Sequence, residues 1–295
     1  MVAETISVVT PSYNQADFIG DNLRSVERQT HDDIQHLILD GGSEDGTVSL
    51  LEAYEQRASH DVFWRSEPDE GQSAAINDGF DRATGDIVGW LNSDDVYFDT
   101  GVFERVVSHF RNTEADVIYG DLAYVDGESR VTEIDVRPEF DRSKLAYRIL
   151  LGQPATFFRR EVLAEHRLDT SLEFCMDYEF WIRLSAEFEF EHVDDVLAGF
   201  RQHEKQKTED MHATTNETEQ MLSRYADTLP NSAGNVAIDN AETELKRLLK
   251  GVSRTLSVHR TPPEFAFNGE LAPLSTMLRN LGPGVTDVQK ALRRL

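Results

Sequence analysis

Ile87-Val88-Gly89-Trp90-Leu91-Asn92-Ser93-Asp94-Asp95 is the stretch on which the fold turns. Its first five residues form an apolar run suited to a buried strand, and the run ends on two adjacent carboxylates. In open α/β sheets the chemistry lies beyond the C-terminal ends of the strands. Two carboxylates fixed there repel one another and are costly to ionise unless a cation neutralises them. A hard divalent cation that also bridges diphosphate oxygens meets that need. Taken alone, the segment reads equally well as a solvated turn, because Asn, Ser and Asp dominate turns.

The flanking sequence separates the two readings. Residues 5–10 and 34–39 are further apolar runs, residues 62–64 a shorter one, and between them residues 16–29, 47–58 and 73–83 carry apolar side chains at helical spacing. Strands that alternate with helices imply a mostly parallel sheet covered on both faces. Beyond residue 100 the alternation loosens. Helices are expected at 102–110 and 178–187, strands at 117–119, 131–136, 155–158 and 193–200, and a helical tail from 208 with a loop at 229–240. No internal repeat is present.

Each early strand runs into polar residues. Pro11 and Tyr13 follow the first strand, where Pro fixes the turn and the ring offers a flat face to a base. Asp40 ends the second, where a carboxylate could accept the imide N–H of uracil or thymine. Each has an ordinary alternative, the ring as core and the aspartate as a turn residue before Gly41-Gly42. With Gly71-Gln72-Ser73 and Asp94-Asp95, however, four polar clusters fall on one edge of one sheet, which describes a ligand crevice. No G-x-G-x-x-G follows the first strand and no G-x-x-x-x-G-K-[ST] occurs, so dinucleotide and P-loop sites lack their phosphate-binding turns. A sugar-1-phosphate nucleotidyltransferase would want a Gly-rich, basic first loop, which residues 10–14 do not supply.

Seven segments, in order, carry a family resemblance: VVTPSYN (8–14), DGGSEDGT (40–47), EPDEGQS (67–73), GWLNSDD (89–95), QPATFFRR (153–160), MDYEFW (176–181) and RQH (201–203). The chain resembles the inverting nucleotide-sugar glycosyltransferases of family 2, which have the GT-A fold. The resemblance covers about residues 5–207. It implies that Pro11, Tyr13, Asp40, Gln72 and Asp94 bind the nucleotide, with Asp94 nearer the ribose. It further implies that Asp94, Asp95 and His203 hold Mg²⁺ or Mn²⁺ on the diphosphate, where the ion acts as a Lewis acid for the leaving group. Arg201 and Lys207 are the expected phosphate partners. Asp121 and Gln153 would contribute to an acceptor site shaped by residues 120–175. Asp177 is the expected catalytic base, taking the acceptor hydroxyl's proton as it attacks opposite the leaving group. The chain departs from the family at Met176, where many relatives carry an acidic residue. That leaves Asp177 as the one carboxylate of the pair, and it gives a non-catalytic nucleotide-sugar-binding module some standing as the alternative.

Composition bounds the rest. There are 54 Asp and Glu against 29 Lys and Arg, for a net charge of −25, which argues against nucleic-acid binding. Only six of the basic residues are lysines. Excess carboxylate with few lysines suits a protein hydrated in high salt, so a halophilic source is expected. The single cysteine, Cys175, can form neither an internal disulfide nor a multi-cysteine metal site. No run reaches a membrane span and no signal peptide is evident, so a cytoplasmic protein, or one peripheral at the cytoplasmic face of the membrane, is expected.

The expected organisation is a nucleotide-sugar-binding half over 1–100, an acceptor and catalytic half of the same GT-A domain over 101–207, and a helical C-terminal extension over 208–295. The extension holds two basic amphipathic segments, LKRLLK (245–250) and VQKALRRL (288–295). Membrane-surface attachment is one reading. The other is packing on the catalytic body or on a second subunit. The expected reaction moves one sugar from a UDP- or dTDP-linked donor to a hydroxyl of a glycan or lipid-linked acceptor, as in surface-glycoprotein N-glycosylation or polysaccharide synthesis.

Overall fold

The structure, a computed structural model, describes residues 4–204, 206, 211–229 and 236–281. The N-terminal part is built as the hydrophobic periodicity requires. Strands β1 (Ile6–Ser12), β2 (Ile34–Asp40), β3 (Asp61–Ser66) and β4 (Ile87–Trp90) pair in parallel in the order β4-β1-β2-β3. Helices α1 (Ile19–Glu27), α2 (Thr47–Arg57) and α3 (Gln72–Arg82) connect them. Strands β1, β2 and β4 are buried throughout and read as nearly continuous apolar runs, whereas β3 at the edge is partly exposed. Ile38 packs with Ile19, Leu23, Leu51 and Tyr54 from α1 and α2. Val9, Leu37, Leu39 and Val88 pack instead with Ala75, Ile76 and Phe80 of α3. Gly79 lets α3 lie close to the sheet, since a Cβ there would come within 2.3 Å of Val9 Cγ1.

The α/β class and the GT-A-like layering are as expected, and the parallel pairing is concentrated in these four strands. Beyond β5 (Val96–Tyr97) and α4 (Val102–Asn112) the sheet is mixed. Strand β6 (Val117–Val125) runs antiparallel to β7 (Arg130–Asp135) and to β8 (Thr156–Arg159), which in turn pairs antiparallel with β4. Helix α5 (Met176–Leu184) leads to the long β9 (Phe190–Arg201), parallel to β6 and antiparallel to β5. Because β9 pairs with the segment just after Asp95, its C-terminal end returns Arg201 to the first crossover of the sheet.

The described C-terminal residues are part of the body. Helix α6 (Met211–Arg224) sends Met221 into the α5 side of the core. Helix α7 (Val236–Arg260) begins inside the loop expected over 229–240. From residue 247 onward α7 packs on β7 and on α8 (Leu274–Asn280), with Leu248, Val252 and Leu256 against Leu274 and Leu278. A two-residue strand, β10 (Glu270–Leu271), extends the sheet beyond β7. Of the basic segment 245–250, Arg247 bonds Val136 O at 2.9 Å and Lys250 pairs with Asp194 at 3.0 Å, while Leu249 stays 53% exposed. Packing on the body is therefore what the described part of this segment does. The second basic segment, 288–295, lies outside the described residues. No helix among them is long and apolar enough to cross a membrane.

Candidate active site

The C-terminal ends of β1, β2 and β4, the start of α3 and the start of α5 surround a cavity of about 680 Å³. Pro11, Tyr13, Gln72, Asp94, Asp95, Gln153 and Asp177 all line it. Tyr13 is 61% exposed at its rim, a rare position for so large a ring and suited to stacking on a base. The turn behind it is fixed. Asn14 has φ +52° and its N–H donates to Ser43 Oγ at 2.7 Å, while its own side chain accepts from Glu44 N at 3.0 Å.

Asp40 serves that turn. It is fully buried, and its two oxygens accept from Ser43 N (2.8 Å), Ser43 Oγ (2.6 Å) and Ser66 Oγ (2.6 Å). A carboxylate so occupied has little left for a base edge, so the expected base-reading role does not fit its placement. Asp69, which the sequence analysis passed over, has an open oxygen nearby. Its Oδ1 accepts from Gly71 N at 2.9 Å, and Asp69 lines the cavity. A Cβ at Gly41 would lie 3.1 Å from Asp69 Oδ2 and 3.4 Å from Tyr13 Cδ2, so the glycine makes the space in which ring and carboxylate come together. The Gly-Gly after Asp40 was the available signal.

The loop 92–95 is clamped from several sides. Asn22 Nδ2 donates to the carbonyls of Asn92 (2.8 Å) and Asp95 (3.0 Å). Asn92 Oδ1 accepts from Gln72 Nε2 (3.0 Å) and Trp90 Nε1 (2.9 Å), and its Nδ2 donates to Gln153 Oε1 at 3.1 Å. Gln72 and Gln153, expected in separate donor and acceptor roles, thus meet on one asparagine. Arg201, 1% exposed, donates from its backbone to Asp95 Oδ1 (2.9 Å) and from its guanidinium to Asp94 O (2.8 Å), Asp126 O (3.0 Å), Ser129 Oγ (2.9 Å) and Asp21 Oδ2 (3.1 Å). Its donors are spent inside the protein. The expected phosphate contact from Arg201 is replaced by a structural one. Asp121 also lies elsewhere: it is buried on β6, accepting from Arg137 N (2.9 Å) and contacting His192 Nε2 at 3.0 Å, and does not line the cavity. Lys207 lies outside the described residues.

Asp94 Oδ2 and His203 Nε2 are 3.1 Å apart, with the imidazole tilted on Phe18 at 4.4 Å. Asp95 Oδ2 is buried without a hydrogen-bond partner. Burial first, and the adjacent Asp94 second, push the Asp95 carboxyl well above the ordinary aspartate range, against the opposing N–H and charge of Arg201. An orphaned carboxylate oxygen beside a carboxylate–imidazole pair is a donor set suited to a divalent ion. Among the described residues no cluster of three or more His, Cys, Asp or Glu side chains could hold a metal by itself. The protein would supply only part of a coordination shell, as is usual where substrate phosphates complete it.

Asp177 sits in the first turn of α5, which starts one residue before it. Among the described residues its hydrogen bond is from Tyr178 N at 2.8 Å. Burial raises its carboxyl above the usual value despite that N–H, which makes it a stronger base once ionised. Met176 Sδ, where the resemblance led one to look for an acid, takes a contact of 2.7 Å from Ser73 Oγ.

Comparison with known proteins fits this geometry. The family described as "Glycosyl transferase family 2" matches residues 7–167. A PGL/p-HBAD biosynthesis glycosyltransferase of Mycobacterium tuberculosis is 29% identical over 161 residues, covering 54% of this chain and 61% of the relative. An uncharacterized glycosyltransferase of the same species is 30% identical over 205 residues, 67% of this chain and 75% of the relative. An uncharacterized Nostoc glycosyltransferase matches over 39% of its own length, so this chain spans only part of some relatives. In fold, the chain is similar to S. aureus TarS in complex with UDP-GlcNAc, with a TM-score of 0.59 at 15% identity over 86% of this chain and 81% of TarS. It is also similar to the mannosyltransferase PcManGT of Pyrobaculum calidifontis in complex with GDP-Man and Mn²⁺, with a TM-score of 0.61 at 14% identity over 100% and 82% of the two chains. With the matched stretch exceeding half its length, this chain belongs to glycosyl transferase family 2.

Proposed function

We propose that this protein is an inverting, metal-dependent glycosyltransferase that moves a sugar from a nucleoside-diphosphate donor to a hydroxyl acceptor. One observation carries the metal dependence: among the described residues lining the cavity are Asp69, Asp94, Asp95, Glu173 and Asp177, and no lysine or arginine. A diphosphate would meet those carboxylates, and a divalent cation would offset the like charge. Asp94, Asp95 and His203 would hold that ion, and it would supply Lewis-acid stabilisation of the leaving diphosphate.

The protein's own residues do the rest. Tyr13 and Pro11 stack on the base. Asp69, in place of Asp40, accepts the N–H of the base edge, which fits uracil or thymine through N3–H and equally guanine through N1–H and its amino group. The amide chain Gln72–Asn92–Gln153 keeps the floor of the cavity rigid, so that the diphosphate and the acceptor face are held in register. Asp177 takes the proton of the acceptor hydroxyl as its oxygen attacks the anomeric carbon, and the nucleoside diphosphate leaves from the opposite face. A glycan or lipid-linked acceptor is the class we favour, in keeping with the family resemblance. The competing non-catalytic module rests on Met176 alone.

The test is release of UDP or dTDP in molar KCl with Mn²⁺ from UDP-glucose, UDP-N-acetylglucosamine, UDP-glucuronate and dTDP-rhamnose, beside Asp95→Ala. Metal-dependent release that the variant loses supports transfer. Tight nucleotide binding with no release from any donor, with or without acceptor glycans, would favour the binding module.

A further inference from the structure

We propose that Glu217, on α6, is the latch that positions the catalytic base, an assignment that rests on reading Asp177 as that base. Three consecutive backbone N–H groups on the approach to α5 converge on its carboxylate: Glu173 N at 2.8 Å, Phe174 N at 2.6 Å and Cys175 N at 2.9 Å. The Cys175 thiol donates to the same group. Asp177 follows two residues later, and Glu173 and Phe174 line the cavity. A row of successive N–H groups is an anion nest. Here a side chain more than forty residues downstream fills it.

The rest of α6 supports the same loop. Arg224 pairs with Asp169 at 3.1 Å, at the loop's other end, and Tyr225 bonds Glu179 on α5. Met221 anchors the helix in the core. Burial alone would raise the Glu217 carboxyl, but the N–H donors outweigh it and hold it below the usual range, so it stays ionised at neutral pH. Among the described residues, the hydrogen bond that supports Asp177 itself is from Tyr178 N. Glu217 is therefore a positioning residue: it is not among the residues that line the cavity, and it sets how far Asp177 reaches into it. Like Asp177, it lies beyond the segment 7–167 matched by the family.

Glu217→Ala and the isosteric Glu217→Gln test this in the full chain with three readouts: amide hydrogen exchange of residues 173–178, UDP affinity, and UDP release from the four donors named above. In Glu217→Ala, exchange in that segment should accelerate at least about tenfold. UDP release should fall roughly ten- to a hundredfold in kcat, because misplacement by about an ångström is enough, with UDP affinity unchanged. Glu217→Gln keeps one acceptor oxygen and should fall between. Wild-type exchange at 173–178 in both variants, or accelerated exchange with an unchanged kcat, would overturn the latch. If the wild type binds UDP but releases none from any donor, the base reading has failed, and the exchange data still decide whether Glu217 holds the loop.

Discussion

Two carboxylate-bearing loops face each other across the cavity, and they are held in different ways. The loop 92–95 is clamped by Asn22, Gln72, Gln153 and Arg201, which come from α1, α3, the turn before β8, and β9. The loop 173–177 hangs on Glu217 of α6, with Arg224 at its far end. The first is fixed by elements of the sheet itself, so the donor side is organised before any ligand arrives. The second depends on α6, so the catalytic side is held by a different element from those that hold the donor side.

The contrast is sharpest at Asp177. Asp177→Asn should lower UDP release by about a thousandfold, within the span usual for loss of a general base, while UDP affinity is retained. The same change should raise Tm at neutral pH. Burial puts the folded-state pKa of Asp177 above its unfolded value, so stability is greatest below the unfolded pKa and declines as pH rises through the folded one. Asparagine removes that penalty. A Tm that falls instead would mean that Asp177 contributes structurally, as the residues of 92–95 do.

Arg201→Leu tests the opposite side. Removing one partner of a buried pair should cost about 3–5 kcal/mol in urea unfolding, and UDP affinity should drop with it. A stable variant with normal UDP binding would show that the clamps on 92–95 are redundant. Asp69→Ala is a smaller change: preference among UDP, GDP and CDP should narrow by about tenfold, the worth of a charge-assisted hydrogen bond near the surface. An unchanged preference returns base reading to another residue.

The smallest effect is remote from both loops. Burial, and then Asp135, push Glu133 on β7 up to about 7. Because this folded pKa lies above the unfolded value, stability should decline between about pH 4.5 and 7. Glu133→Gln should flatten that slope without changing UDP binding.

Much of this was legible residue by residue. Apolar runs placed β1, β2 and β4, and the helical spacing of Leu51 and Tyr54 placed α2, because both faces of a parallel sheet must be covered. The four polar clusters could be read as one crevice because the strands that carry them run in one direction. The roles of Asp40, Arg201 and Asp121 could not be read, since each depends on hydrogen-bond partners that arrive from distant segments. Ser66 reaches Asp40, Asp21 and Ser129 take the donors of Arg201, and Arg137 N and His192 both meet Asp121 at Oδ1.

By itself the sequence determined the layered α/β architecture, the family, and which edge of the sheet carries the polar clusters. These follow from local periodicity and from motifs that occupy adjacent residues. Only the tertiary structure decided which carboxylates are free and which are consumed. Asp69 is left open beside Tyr13, Asp40 is satisfied by Ser43 and Ser66, and Glu217 is bound by three N–H groups. The physical reason is that a carboxylate's availability depends on how many donors fold onto it, and donors separated by 26 to more than 40 residues meet only in the folded chain.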